Sequence, residues 1–255
     1  THVSSTVDPL RDIEVINLEL ALADLESTEK RLEKLASKVK SKDKDAVVEY
    51  ELIRRIKETT LDEGKPVRSM ELTDEEAKLV KSFNLLTSKP IIYVANVSED
   101  DAVDPSSNPH IGTIEELAAR EGAKVIPISA KLESAIAELD AQDKTAFLAE
   151  LGLAESGLDR IIHSAYALLG LITFLTAGPK EVRAWTVTRG TKAPQAAGVI
   201  HTDFERGFIK AEIMSFEDLR AAGSETAVRE KGRLRIEGKE YVVQDGDIIH
   251  FRFNV

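Results

Sequence analysis

Two β-prone apolar runs, "PIIYVANV" at 90–97 and "AKVIPISA" at 123–130, flank one helix-forming stretch, "TIEELAAREG" at 113–122. A strand, a helix closed by glycine and a second strand make a βαβ unit, which implies a parallel sheet with helices on its faces. In such sheets ligands bind outside the carboxyl ends of the strands. Here those ends open into polar loops at Asn96-Val97-Ser98-Glu99 and at Ser129-Ala130. Two short loops at one sheet edge can therefore grip one ligand.

Upstream of this unit the periodicity is helical. Leu18, Leu22, Leu25, Leu32, Ala36 and Val39 fall on the a and d positions of a heptad broken only by Glu29. The pattern predicts one apolar seam along a long helix. A second helix over "DAVVEYELIRRIKETT" carries Val48, Leu52 and Ile56 on one face. The two make a helical hairpin. Between them lies "KRLEKLASKVKSKDK", 30–44, with seven basic residues (Lys30, Arg31, Lys34, Lys38, Lys40, Lys42 and Lys44) and two acidic ones. Such a tip is either a solvated helix end or a contact for phosphate backbone, where Lys and Arg displace counterions. Thr73 with Glu76 three residues later forms a capping box for a third helix.

Downstream, short strands "LITFLTA", "EVRAWTV", "FIKAEIM", "LRIEGKEY" and "DIIHFRFNV" are separated by turns and short helical stretches. "TAGPKE" and "IEGKEY" read as hairpin turns, and "APQAAGVIHTDF" as one amphipathic helix. A small α+β domain fits this spacing.

Composition sets the outer bounds. The 255 residues are 42% apolar and 31% charged, which suits a globular chain of two or three domains. There is no cysteine, so disulfides and thiolate metal sites are excluded. No apolar run approaches the roughly 18 residues of a membrane span, and no signal peptide is visible. A cytoplasmic protein without a membrane partner is the simplest expectation. The chain begins at Thr1 rather than Met, and a preceding segment is expected. The charge of −11 is uneven: residues 1–84 hold 15 basic and 19 acidic side chains, 85–170 hold 6 and 14, and 171–255 hold 13 and 12. An acidic middle repels nucleic acid more than the two ends do.

The run "NVSEDD", followed about thirty residues later by "ISAKLE", and the C-terminal "VRAWTVTRGTKAPQAAGVIHTDFERGFIKAE…DGDIIHFRFNV" closely resemble the YchF subfamily of Obg-like P-loop NTPases. The resemblance covers essentially the whole chain and is most specific over its last ninety residues. It implies an α/β fold: the second half of a parallel-sheet P-loop NTPase domain, a helical coiled-coil insertion, and a C-terminal β-grasp (TGS) domain of ubiquitin-like form. On that basis residues 1–12 are the end of the first half of the nucleotide domain, 13–86 the insertion, 87–170 the second half, and 171–255 the TGS domain. The family's phosphate-binding loop, magnesium ligands and switch regions then fall upstream of Thr1. No G-x-x-x-x-G-K-[ST] occurs in this sequence.

The resemblance implies a ribosome-associated ATPase that acts as a translation-linked or stress-linked regulator. ATP and magnesium are the implied cofactors, and the partner is the ribosome (its large subunit) or RNA, bound by a monomer. In related GTPases the loop corresponding to 96–99 reads Asn-Lys-x-Asp, and the Asp carboxylate accepts both donors of the guanine edge. Adenine lacks that pair and offers N6 as donor with N7 as acceptor, which suits an Asn side chain. Val97 removes the aliphatic stem that would cover the base, and Glu99 carries its carboxylate one methylene further, out of guanine register. The candidate nucleotide contacts are therefore Asn96, Val97, Ser98, Glu99, Ser129 and Ala130. His2, in "THVS", matches a mobile-loop histidine proposed in the family to orient the attacking water, a role open to neutral imidazole. Arg183, Arg189, Lys192, Arg206 and Lys210 add basic charge near the C-terminal strands. His110, His163, His201 and His250 have no metal-ligand spacing. Two other readings stay open: a GTPase, and a non-catalytic RNA- or ribosome-binding module.

Overall fold

The computed structural model describes residues 7–178 and 181–254. The chain divides between Ile161 and Ile162 into two compact units.

The first unit opens with α1, Pro9–Lys40, started by the Asp8 carboxylate, which accepts from Arg11 N, and by a proline in the first turn. Lys38 and Lys40 sit in its last turn, where cations complement the helix dipole. Lys42 turns the chain at φ 60, and Asp43 caps α2, Lys44–Ile56. The helix runs on through one π turn over 57–61, closed by Asp62 N donating to Lys57 O at 2.9 Å. α3, Asp74–Phe83, begins with the expected capping box of Thr73 and Glu76 and ends at Asn84, φ 56.

The buried seam of α1 differs from the heptad reading by one position. Ala21, Asp24, Thr28 and Leu35 are buried, with Leu25 and Leu32 on the flank, whereas Leu18 and Leu22 are 49% and 54% exposed. On α2, Leu52, Ile53 and Ile56 are buried but Val48 is 62% exposed. The cause is Asp24. Its carboxylate accepts from Leu86 N, Thr87 N and Thr87 Oγ1, each at 2.7 Å. A polar residue with three partners supplied by a distant segment outcompetes leucine for the buried stripe.

β1, Ile92–Asn96, and β2, Lys124–Ile128, pair in parallel from Ile92 opposite Lys124 to Asn96 opposite Ile128. Between them come α4, Glu99–Val103, and α5, Pro109–Glu121, which Gly122 closes at φ 65. This is the expected βαβ unit. α6, Ala130–Ala137, α7, Ala141–Glu150, and α8, Gly157–Leu168, follow β2. Leu132, Ile136 and Leu148 form a small core between α6 and α7.

In the second unit β3, Leu171–Ala177, β4, Val182–Thr188, β5, Phe208–Ser215, β6, Arg235–Glu237, and β7, Asp247–Phe253, form one sheet in the order β4-β3-β7-β5-β6. β3 and β7 pair in parallel and the other neighbours antiparallel. α9, Ala193–Ile200, lies on this sheet through fully buried Ala193, Ala196 and Ala197, small enough to bring helix and strands close. A helix across a mixed sheet is the β-grasp arrangement that the resemblance implied. α11, Phe216–Ala222, and α12, Glu225–Glu230, accompany a second cluster of Met214, Val228 and Ile248.

Two local elements differ from the expectation. "APQAAGVIHTDF" is not one helix: His201 is extended at φ −159, ψ 140 and starts a separate α10, Thr202–Arg206, by accepting from Asp203 N at Nδ1. "IEGKEY" does not join two paired strands, since β6 pairs with β5 while Val242 bridges to Lys192. The strands on either side of "TAGPKE", β3 and β4, pair antiparallel, while Pro179 and Lys180 within it lie outside the described residues.

Asp24→Ala should lower the unfolding free energy by about 2–4 kcal/mol, because buried donors lose a charged acceptor. Leu22→Ala should stay within about 0.5 kcal/mol of the parent. Urea denaturation of both variants checks the one-position shift of the seam.

Candidate functional site

The two strand-end loops meet. Val97 N donates to Ile128 O at 2.8 Å, extending the ladder one residue beyond β1. Asn96 then turns its side chain across the sheet edge, and Oδ1 accepts from Ala130 N at 3.1 Å. Ser98 caps α4 by accepting from Asp101 N, and Ser129, buried, caps α6 by accepting from Leu132 N. Both loops are thus strand-to-helix corners started by serine caps. Glu99, first residue of α4, reaches Lys131 with its carboxylate 2.9 Å from Nζ. The six sequence-predicted nucleotide contacts therefore lie together along one edge: Asn96 is bonded to Ala130, and Val97 and Glu99 are held to the neighbouring Ile128 and Lys131.

A cavity of about 590 Å³ borders Tyr93, Asn96, Val97, Ser98, Asp101 and His110. Glu99, Ser129 and Ala130 do not line it. Hydrogen bonding from Ser98 and then Asn108 holds the Asp101 carboxyl below its ordinary range. Burial, with the Glu121 carboxylate accepting its hydroxyl hydrogen, pushes Tyr93 above the usual phenol value. Glu121 also takes Arg68 at 3.1 Å, and Arg68 donates to Asn17 at 3.0 Å. This links α1 and the segment after α2 to the strand that ends at Asn96.

Sequence reasoning did not single out Lys131 or Tyr93. Lys131 stood inside "ISAKLE" but has no partner in the sequence pattern, and Glu99 is 32 residues away. Tyr93 read only as a β-prone strand residue. His2 lies outside the described residues. Among the described residues no group of three or more His, Asp or Glu is placed to hold a metal ion, so nothing there fits a magnesium cage.

The basic candidates are unequal. Lys30 pairs with Glu26, and Arg31 pairs with Glu49 while lying over the Phe83 ring. Lys34, Lys38, Lys40, Lys42 and Lys44 are exposed and have no ion pair among the described residues. In the second unit Arg183 pairs with Glu181 and stacks on Trp185, Lys192 pairs with Glu240, and Lys210 with Glu212. Arg189 and Arg206 are exposed without an ion pair among the described residues.

Comparison with known proteins decides the family. The ribosome-binding ATPase YchF of Bacillus subtilis (strain 168) is 59% identical over 255 residues, covering all of this chain and 69% of that protein. The chain belongs to the YchF family of Obg-like ATPases. Obg-like ATPase 1 of Pongo abelii is 45% identical over 258 residues, with all of this chain and 65% of that protein covered. Residues 171–254 match the YchF-GTPase_C family, described as a protein of unknown function. Among solved structures, the Schizosaccharomyces pombe YchF GTPase superposes with a TM-score of 0.82 at 36% identity, over 99% of this chain and 68% of that one. These likenesses bear out the α/β fold with its C-terminal domain, and the family resemblance itself.

Asn96→Ala should cost about 1 kcal/mol of unfolding free energy through the lost cross-loop bond. Lys131→Ala, which breaks only an exposed pair, should cost less than that. Denaturant midpoints of the two variants order them.

Proposed function

We propose that this chain forms part of a nucleoside-triphosphate hydrolase that takes ATP in preference to GTP and works on the ribosome. The observation that carries the nucleotide choice is the corner itself. Asn96 and Ala130 are joined across the two loops, and the Glu99 carboxylate at the first turn of α4 pairs with the exposed Lys131. An Asn amide can serve an N6 donor and N7 acceptor, whereas Glu99 carries its carboxylate one methylene beyond the position from which an Asp would accept from the guanine edge. The names of the relatives divide between ATPase and GTPase, so the GTPase reading is the alternative to be tested.

The domain assignment goes with this reading: 1–12 and 87–170 belong to the nucleotide domain, 13–86 is the inserted helical arm, and 171–255 is the TGS domain. His2 is proposed to orient the attacking water, and magnesium to enter with the nucleotide, held by residues outside those described. The protein is proposed to be a cytoplasmic monomer and to act as a translation-linked or stress-linked regulator. The named function of the relatives supports a ribosome partner. The five lysines at the end of the helical arm, without an ion pair among the described residues, supply a chemistry for meeting phosphate, and the proposed contact is with the large subunit. A binding module without hydrolysis would use the same lysines.

In a longer form that carries the phosphate-binding half, ATP should titrate more tightly than GTP. The double variant Val97→Lys, Glu99→Asp should move the preference toward GTP by about 1–3 kcal/mol. A parent that prefers GTP would overturn the reading. Reversing Lys34, Lys38, Lys40 and Lys42 to Glu should weaken co-sedimentation with ribosomes at low salt and leave ATP binding intact. If co-sedimentation of the parent does not fall between about 50 and 200 mM salt, phosphate contacts are not its basis.

A further inference from the structure

Helix α6 begins at the residue whose amide meets Asn96, and its position is set from the far side. The Glu133 carboxylate, half-buried, accepts from two consecutive amides at the start of α8: Gly157 N to Oε1 at 2.7 Å and Leu158 N to Oε2 at 3.1 Å. Both oxygens are engaged by the positive end of a helix, where an anion is favoured. Gly157 is buried, and a Cβ built on it would lie 2.6 Å from Ile128 Cγ2 and 2.7 Å from Glu133 Oε1. A side chain at this position would require Ile128 and Glu133 to shift. A second tie runs from the same helix, where Arg160 Nη2 donates to Pro127 O at 2.7 Å. The two ties bracket Ile128, Ser129 and Ala130, the corner that carries one half of the candidate base site.

We infer that Glu133 is a positioning residue for base recognition. It holds the first turn of α6 so that the Ala130 amide and the Ser129 corner face Asn96. The inference deepens the proposed nucleotide reading and rests on it for its consequence, though not for its geometry. The Glu133 carboxylate bonds to neither Ser129 nor Ala130; the residue meets the corner only through its backbone N–H, which donates to Ser129 O at 2.9 Å, and its side chain acts through the turn that it anchors. A carboxylate suits this place because both of its oxygens accept. The isosteric amide would turn an N–H₂ group toward one of the two amides and lose that bond.

Glu133→Gln in the full chain tests the inference by two separate readouts. The first is amide hydrogen exchange without nucleotide. Ala130 should exchange about tenfold faster than in the parent, with strands β3–β7 unchanged. Unchanged Ala130 exchange, or acceleration spread evenly over the first unit, overturns the inference and leaves Glu133 an ordinary stabilising residue. The second is nucleotide selectivity and turnover in the longer form. KM for ATP should rise and the ATP-over-GTP ratio should fall several-fold, with kcat at saturation retained. A loss of kcat at unchanged KM and unchanged ratio also overturns it. A parent without ATP preference would defeat the proposed function instead, and the exchange measurement would still decide whether Glu133 sets the corner.

Discussion

A single buried carboxylate organises the first unit. Asp24 lies in the middle of a 32-residue helix and would be costly to bury alone. It is satisfied by two backbone amides and a hydroxyl from Leu86 and Thr87, the segment that leads directly into β1. Thr87 is itself fully buried, and its Oγ1 accepts from Val67 N. Through these bonds one side chain fixes which face of α1 turns inward, where the loop after α2 runs, and where the strand toward the candidate site starts. The apolar core of Leu52, Ile53, Ile56, Val80 and Phe83 fills the space that this arrangement defines.

The ion pair of Arg68 with Glu121 does a related task nearer the site. Both side chains are largely buried, at 7% and 13% exposure; Asn17 accepts from Arg68 and Tyr93 donates to Glu121, while Arg68 Nε has no partner among the described residues. Buried pairs of this kind contribute little net stability compared with apolar packing, but removing one partner strands the other charge. Here four segments contribute one polar group each. The helical arm is consequently joined to β1 within three residues of Asn96 by directional bonds as well as apolar contact.

At the corner, short-range and long-range chemistry are divided cleanly. Ser98 and Ser129 start their helices by local capping, which needs only neighbouring residues. The bonds that bring the corners together, Asn96 to Ala130 and Glu99 to Lys131, join residues more than thirty positions apart. Exposed as the second pair is, it contributes little stability and simply sets the Lys131 ammonium against the Glu99 carboxylate.

The capping box at Thr73 and Glu76, the glycine stop at Gly122 and the polar loops at the strand ends were legible in the sequence because each depends on residues within a few positions of one another, and the parallel βαβ unit because the order strand, helix, strand is itself a pattern along the chain. The family could also be read there, from contiguous runs of residues. The seam of α1 could not. Hydrophobic periodicity assigns leucines to the buried face, and it has no means of knowing that Asp24 finds its partners 62 and 63 residues later. The same holds for the break at His201, where a side chain caps a new helix instead of continuing the old one, and for Lys131 and Glu133, whose partners lie beyond any local pattern. Local propensity and capping settle which elements form. Only tertiary contact decides which polar groups are satisfied inside, and with them the face that each helix buries and the chemistry left open at the corner.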